Sequence, residues 1–490
     1  MTDVSTPPSP SIRIMQAAVL VLLALKLWFN IAVPPMGDES YYWMWGQRLE
    51  LSYFDHPPLH AWLLWLAEKV VGWHWWSVRA LTWLCLAATL WVFWAWARRI
   101  RPDNPRDYFW RTTTIYLATP IFWLMTTMAF NDYLLVALGF VSAHFFLTFL
   151  TEWEAGHHRH GALYLAAIFL GLAVLTKYNG ALLGLAFAAM VLSQRKFWPL
   201  LANPHLWLAG LLSVAMQTPV LWWNLSEGMA SFNFHLGTRL SSASIAIASN
   251  YWLVFLANMA LILSPFLAIA LFRYPLGPKP NGFEGNARLF AFAGFGTSTL
   301  VFLAVSLFVY VFFYWNIIGY LALIPVAYRY LGQRWLFWLH TAFGFVLALA
   351  LTINFTLFPL ANLVGPKDWG TSANFGWDEL AVAVREEQTA HPDAFLAGTR
   401  YTYAAQLGYQ LHTTAVTSFN TLTDQYDFWT DRAALAGKDA LIVADGAWPI
   451  GFASTQFVTM TLLRTVTIHR FGQEVTSYEI WLGENYKPTE

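Results

Sequence analysis

A single cysteine, Cys85, occurs in 490 residues, which excludes an internal disulfide framework and any thiolate-built metal cluster. Its apolar neighbours mark it as a packing residue. Charge is scarce too: Asp, Glu, Lys and Arg make up 11% of the chain, where soluble domains carry about 25%. Basic and acidic residues balance at 28 each and no Lys/Arg block stands out, so nothing points to nucleic acid as a partner. The glycine fingerprint of a nucleotide site is missing, even beside the strand-like "LIVADG". Nor is there a short-period repeat, or a low-complexity segment beyond the N-terminal "MTDVSTPPSPSIR".

What the chain does contain is apolar: 57% of residues are hydrophobic and 18% aromatic. Stretches of about 20 apolar residues, enough to cross the hydrocarbon layer, recur along it. Eleven are expected, near 14–33, 78–97, 112–130, 132–150, 162–176, 180–194, 206–224, 250–272, 288–306, 311–328 and 335–357. The fifth and sixth are short for a full crossing. "IMQAAVLVLLALKLWFNIAV" is too long for a signal peptide's apolar region and has no A-x-A cleavage site, so it is expected to be a retained first span. If the N-terminus lies inside, the inner loops hold fourteen Lys and Arg, five of them in "RRIRPDNPRDYFWR". The outer loops hold five: Arg48, Lys69, Arg79, Lys177 and Arg239. Cytoplasmic loops carry the positive excess, so the C-terminus is expected outside. Beyond Leu357 the apolar runs shorten to strand length. The chain therefore divides into a helical polytopic membrane domain over 1–360, with an outer first loop at 34–77, and a small soluble α/β domain over 361–490. In the latter, "DAFLAGTR" and "DALIVADG" read as buried strands, "WDELAVAVREEQ" and "YTYAAQLGYQL" as helices, and "TLLRTVTIHRFGQEVTSYEIWLG" as late antiparallel strands.

On this topology the polar residues collect at the outer ends: Asp38 and Glu39, Asp55 and His56, Asn131 and Asp132, Lys177 to Asn179, Asn224 to Arg239, and Tyr314 to Asn316. Asp38 precedes "ESYYWMWGQRL", which could lie as an amphipathic helix at the interface. A carboxylate at such a mouth can act on a substrate whose tail stays in lipid. At "FDHPP", Asp55 is either a helix cap with a solvated His56 or one of a functional pair. His56, His235 and a carboxylate could also hold a divalent metal, although no HxxxH-type spacing supports one. Asp132 is a tight-turn residue or faces a cavity. Lys177 either snorkels to the interface or pairs with a phosphate headgroup. Lys26, inside the first span, is expected to pack against the bundle or snorkel.

"MGDESYYWMWGQRLELSYFDHPPLHAWLLWL", "FNDYLLVAL", "LTKYNGALLGL", "QTPVLWWNLSEGMASFNFH" and "YWNIIGYLAL" occur in that order. Together they resemble the bacterial branch of the GT-C glycosyltransferases related to protein O-mannosyltransferases and the lipid A aminoarabinose transferase. The resemblance covers most of residues 10–330, and the acidic pair followed by F-[DE]-x-P-P is its most specific part. It implies an inverting transfer of sugar from a polyprenyl-phosphate donor to a lipid, glycan or protein hydroxyl, at the periplasmic side of a bacterial inner membrane. Membrane lipids would be the other partners. Asp38 matches the catalytic acid of the first loop, Glu39 its neighbour and Asp132 a second acidic position. Lys177 matches a basic residue for the donor phosphate, and His235 and Arg239 a His/Arg region. Asp55, His56, Tyr178, Asn224 and Tyr314 complete the substrate-binding candidates. His56 stands where relatives have lysine, and Tyr314 where many have histidine. The resemblance requires no cofactor, leaving a divalent metal open. The reading from another class is a transporter of polyprenol-linked sugar or lipid, which would want internal repeats and charged or broken helices near the midplane, whereas most polar candidates here sit at one surface.

Overall fold

The computed structural model describes residues 10–238, 250–271, 281–331 and 334–488. Helix occupies most of each of the eleven apolar stretches there, although the one expected at 311–328 is helical only from Ile317. Five helices are long and apolar enough to cross a membrane: α1 (Pro10–Ala32), α4 (Trp75–Ile100), α7 (Asn131–Glu154), α14 (Gly282–Ser306) and α16 (Arg334–Thr356). Between α1 and α4 stand α2 (Gly37–Gln47) and α3 (Leu59–Val71). The stretch expected at 112–130 is broken at Pro120 into α5 (Pro105–Ala118) and α6 (Pro120–Thr127), because proline lacks the N–H that a continuous helix needs. Two others bend by 41° and 101°: α10 (Pro204–Ala215) into α11 (Thr218–Ser226), and α12 (Tyr251–Ile262) into α13 (Pro265–Leu271). Pro219 and Pro265 stand in the first turn of the second helix of each pair. The remaining helices, α8 (Gly161–Thr176), α9 (Ala181–Ser193) and α15 (Ile317–Tyr330), are short. At a rise of about 1.5 Å per residue none of these three alone spans about 30 Å of hydrocarbon.

The chain forms two compact units whose boundaries differ from a division at residue 360. One contains Met1–Leu27, His56–Leu59 and Arg79–Leu349; the other contains Trp28–Asp55, His60–Val78 and Ala350–Glu490. Most of the first loop therefore belongs to the compact unit of the C-terminal region.

In the helical unit α7 packs on α8, and α14 on α9 and α15. α7 is its most enclosed long helix, with 83% of its apolar window buried against 39% in the other four. Polar residues at its start are consequently held inside protein. Lys26 packs into this unit, buried, donating to the Thr126 carbonyl and lying 5.3 Å from the Trp83 ring. Gly344 lets α16 approach α5 closely, since a Cβ there would overlap the Ala118 carbonyl.

The second unit holds a five-stranded sheet in the order β2-β1-β3-β5-β4. β1 (Phe395–Gly398), β2 (Val416–Ser418) and β3 (Ala440–Asp445) run parallel, while β5 (Gln473–Tyr486) pairs antiparallel with β3 and with β4 (Phe457–Arg470). The β4–β5 hairpin closes through Phe471 and Gly472, both at positive φ, the geometry of a two-residue turn that follows strand twist. Helices α17 (Trp377–Ala390), α18 (Tyr401–Leu411) and α19 (Gln425–Trp429) accompany the sheet. "ESYYWMWGQRL" is helical as expected, but α2 is buried continuously from Glu39 to Gly46 rather than along one face. It packs along α18, and Gly46 lies against α3, where a Cβ would be 3.1 Å from the Trp65 nitrogen.

Candidate active site

In the second unit the first turn of α2 carries Asp38 and Glu39. Glu39 is fully buried and accepts a 2.8 Å hydrogen bond from the Met36 amide, capping the helix start. Its carboxylate thus stabilises the local fold. Half-buried Asp38 instead accepts a 3.1 Å hydrogen bond from the Tyr401 hydroxyl, at the first position of α18. One turn along α2, the Tyr41 hydroxyl donates to Asp55 at 2.9 Å and accepts from the Gln425 amide at 2.8 Å. The Tyr41 and Tyr401 rings pack 4.5 Å apart. Two carboxylates are thereby each held by a tyrosine, and those tyrosines touch.

Electrostatics keep both phenols protonated. Burial, then the Asp55 and Asp424 carboxylates, raise Tyr41 well above the usual phenol range. Tyr401 is raised in the same way by desolvation and by Asp38. Both phenols therefore act as donors to carboxylates. Asp424, buried at the cap of α19, is raised to about 7, first by desolvation and then by Asp427.

The helical unit holds a second grouping. Lys177, just past the end of α8, donates to both oxygens of Asp132 at 2.9 and 2.8 Å, and both residues are buried. The same ammonium lies 4.7 Å from the centre of the Tyr314 ring. Lys177 is therefore neither a snorkelling residue nor a solvated cation. Asn131, immediately before Asp132, is buried with both amide atoms lacking a hydrogen bond among the described residues. Tyr178 hydrogen-bonds Ser231 at 2.9 Å and meets the His235 ring edge-on at 5.0 Å, while His56 and His235 stand 6.3 Å apart, ring to ring. Among the described residues no three His, Cys, Asp or Glu side chains gather as a metal site would require. Asn224, fully buried, donates to the Val220 carbonyl and accepts from the Phe232 amide, so its amide shapes the turn after α11. Arg239 lies outside the described residues.

The structure thus brings Lys177, Asp132 and Tyr314 together, and Tyr178, His235 and His56. Sequence reasoning missed Tyr41, Tyr401 and Gln425. The trace of the two tyrosines was an aromatic excess in two segments read as helices, and Gln425 lay in a segment given no reading.

A family model described as dolichyl-phosphate-mannose-protein mannosyltransferase matches residues 55–223. Lipid A galacturonosyltransferase RgtD of Rhizobium johnstonii is 26% identical over 224 residues, 43% of this chain and 44% of that protein, so the match spans less than half of the relative's length. Among solved structures, ArnT from Cupriavidus metallidurans bound to undecaprenyl phosphate superposes with a TM-score of 0.66 at 16% identity, over 95% of this chain and 97% of that one. The apo form of ArnT gives 0.61 at the same identity, over 96% and 98%. At such identities the agreement is one of fold.

Proposed function

We propose that this membrane protein, whose fold is that of the GT-C glycosyltransferases, is an inverting glycosyltransferase that moves a sugar from a polyprenyl-phosphate donor to an acceptor hydroxyl. The observation that carries the reading is Asp38, a half-buried carboxylate in the first turn of α2 that accepts a hydrogen bond from Tyr401. A lipid-linked donor is supported by the undecaprenyl phosphate in the ArnT structure, and a lipid or glycan acceptor by the name of the RgtD relative.

In the reaction Asp38 accepts the proton of the acceptor hydroxyl as its oxygen attacks the anomeric carbon. The bond from that carbon to the phosphate oxygen breaks with inversion, and the prenyl phosphate leaves with the electron pair. A positioned base is worth about 10²- to 10⁴-fold. Within the helical unit, Lys177 has three N–H donors, two directed at Asp132, which makes it a candidate for contact with the donor's phosphate. Tyr314 forms the wall behind that ammonium. The excess of Lys and Arg in the loops read as inner supports a reaction on the periplasmic side of a bacterial inner membrane.

Asp38→Asn tests the proposal. In cells carrying the variant in place of the wild-type protein, mass spectrometry of lipids and glycans is expected to lose the glycosylated product by about 10²-fold or more, with membrane insertion unchanged. Undiminished product would overturn the assignment.

A further inference from the structure

The contact to Asp38 comes from a residue 363 positions away, in the C-terminal region. Gly37 and Thr402, the immediate neighbours of Asp38 and Tyr401, meet so closely that a Cβ on Gly37 would be 2.8 Å from the Thr402 Cβ. Further along the same two helices, a Cβ on Gly408 would be 2.8 Å from Met44 Cε. Buried Gln406, also on α18, donates to the Pro35 carbonyl at 2.7 Å, which holds the chain entering α2. α2 is therefore seated on α18 by a glycine-permitted contact near each end, and its start by a buried hydrogen bond, with the Tyr401 hydroxyl donating to the Asp38 carboxylate.

We propose that Tyr401 is the positioning residue for Asp38, so that the C-terminal region supplies part of the catalytic apparatus. This rests on the reading of Asp38 as the base. A carboxylate on a rotatable side chain needs a partner to present one oxygen outward, and a phenol that stays protonated provides a donor without competing for the proton. Tyr41 gives the same support to Asp55, and is itself fixed by the Gln425 amide. The other charged groups that act on Tyr401 are Asp55 and Arg400, whose guanidinium lies 3.8 Å from the Trp448 ring centre and 5.4 Å from that of Tyr401.

The test is Tyr401→Phe, which keeps the ring and removes the hydroxyl. Carboxylate infrared difference spectra of the purified full chain, with Asp38→Asn as the subtraction reference, isolate the Asp38 signal without any substrate. Loss of the donor disfavours the ionised form, so the Asp38 titration midpoint is expected to move to higher pH in Tyr401→Phe and to stay in place in Tyr403→Phe on the same helix. In cells, Tyr401→Phe is expected to lower the glycosylated product about tenfold. An unmoved Asp38 midpoint in correctly folded Tyr401→Phe overturns the inference while leaving the function intact. A moved midpoint with full product in Asp38→Asn cells overturns the function instead, and with it the positioning role.

Discussion

Lys177 and Asp132 form a buried ion pair inside an apolar bundle. Removing one partner strands a buried charge and costs about 3–5 kcal/mol, whereas removing both can be nearly neutral. That asymmetry separates a structural role from a role toward substrate. Lys177→Met is expected to lower the thermal midpoint, and the Lys177→Met/Asp132→Leu double variant to recover most of that loss. If the ammonium also holds the donor phosphate, the stable double variant should still bind undecaprenyl phosphate about tenfold more weakly, or ~1.4 kcal/mol. Binding equal to wild type in a double variant of restored stability would reduce the pair to a packing device. Neither residue's pairing could be read from its neighbours in the chain, because 45 positions separate them. "LTKYNG" and "FNDY" announced only that two charges stood beside apolar runs.

At the scale of elements, legibility follows from what decides each one. Apolar runs become helices because lipid leaves no other partner for backbone groups, and all eleven were visible for that reason. Their breaks were not read: the stretch expected at 112–130 as one span is split at Pro120, and the one at 250–272 bends by 101° before Pro265. The hairpin turn "RFGQ" and strands "FLAG" and "ALIVAD" follow from local pattern, but β2, three residues long, carries too little pattern to be seen. The cap of α19 likewise went unread. There Asp424 accepts from the Tyr426 amide in a buried setting, and its own amide donates to the exposed Asp427. Because Asp424 has a folded-state pKa near 7, above the value of 3.8 for a free side chain, the folded chain holds a proton that the unfolded chain releases across that window. Its contribution to stability is complete below about pH 4 and is lost as pH rises through about 7. Asp424→Asn keeps the cap acceptor and removes the titration. The variant should melt higher than wild type above about pH 7 and show a shallower decline between about pH 4 and 7, measured by thermal scanning across pH. Parallel pH profiles of the two proteins would show that Asp424 is not the group responsible.

At the scale of the whole molecule, a division at residue 360 would suggest a membrane enzyme with an appended soluble domain. The compact units divide the chain otherwise, for most of the first loop belongs with the C-terminal region. That region supplies hydrogen-bond partners to the loop. Gln406 donates to the Pro35 carbonyl, Arg48 donates to the Thr414 carbonyl at 2.7 Å, the Phe54 amide donates to the Gln425 side chain at 2.7 Å, and the Trp73 indole donates to the Tyr409 carbonyl at 3.0 Å. Buried groups deprived of such partners cost about 1–3 kcal/mol each, more than a small loop can recover from its own burial. Ending the chain at Leu360 should therefore leave a protein that inserts into the membrane but cannot hold residues 34–55 in place. The expected result is rapid proteolytic cleavage within that loop in membrane preparations, together with loss of glycosylated product in cells, while the full-length chain resists the same protease. A truncated chain with its loop as resistant as wild type would mean that the helical unit organises the loop unaided. Asp38 would then have to be held in place without Tyr401.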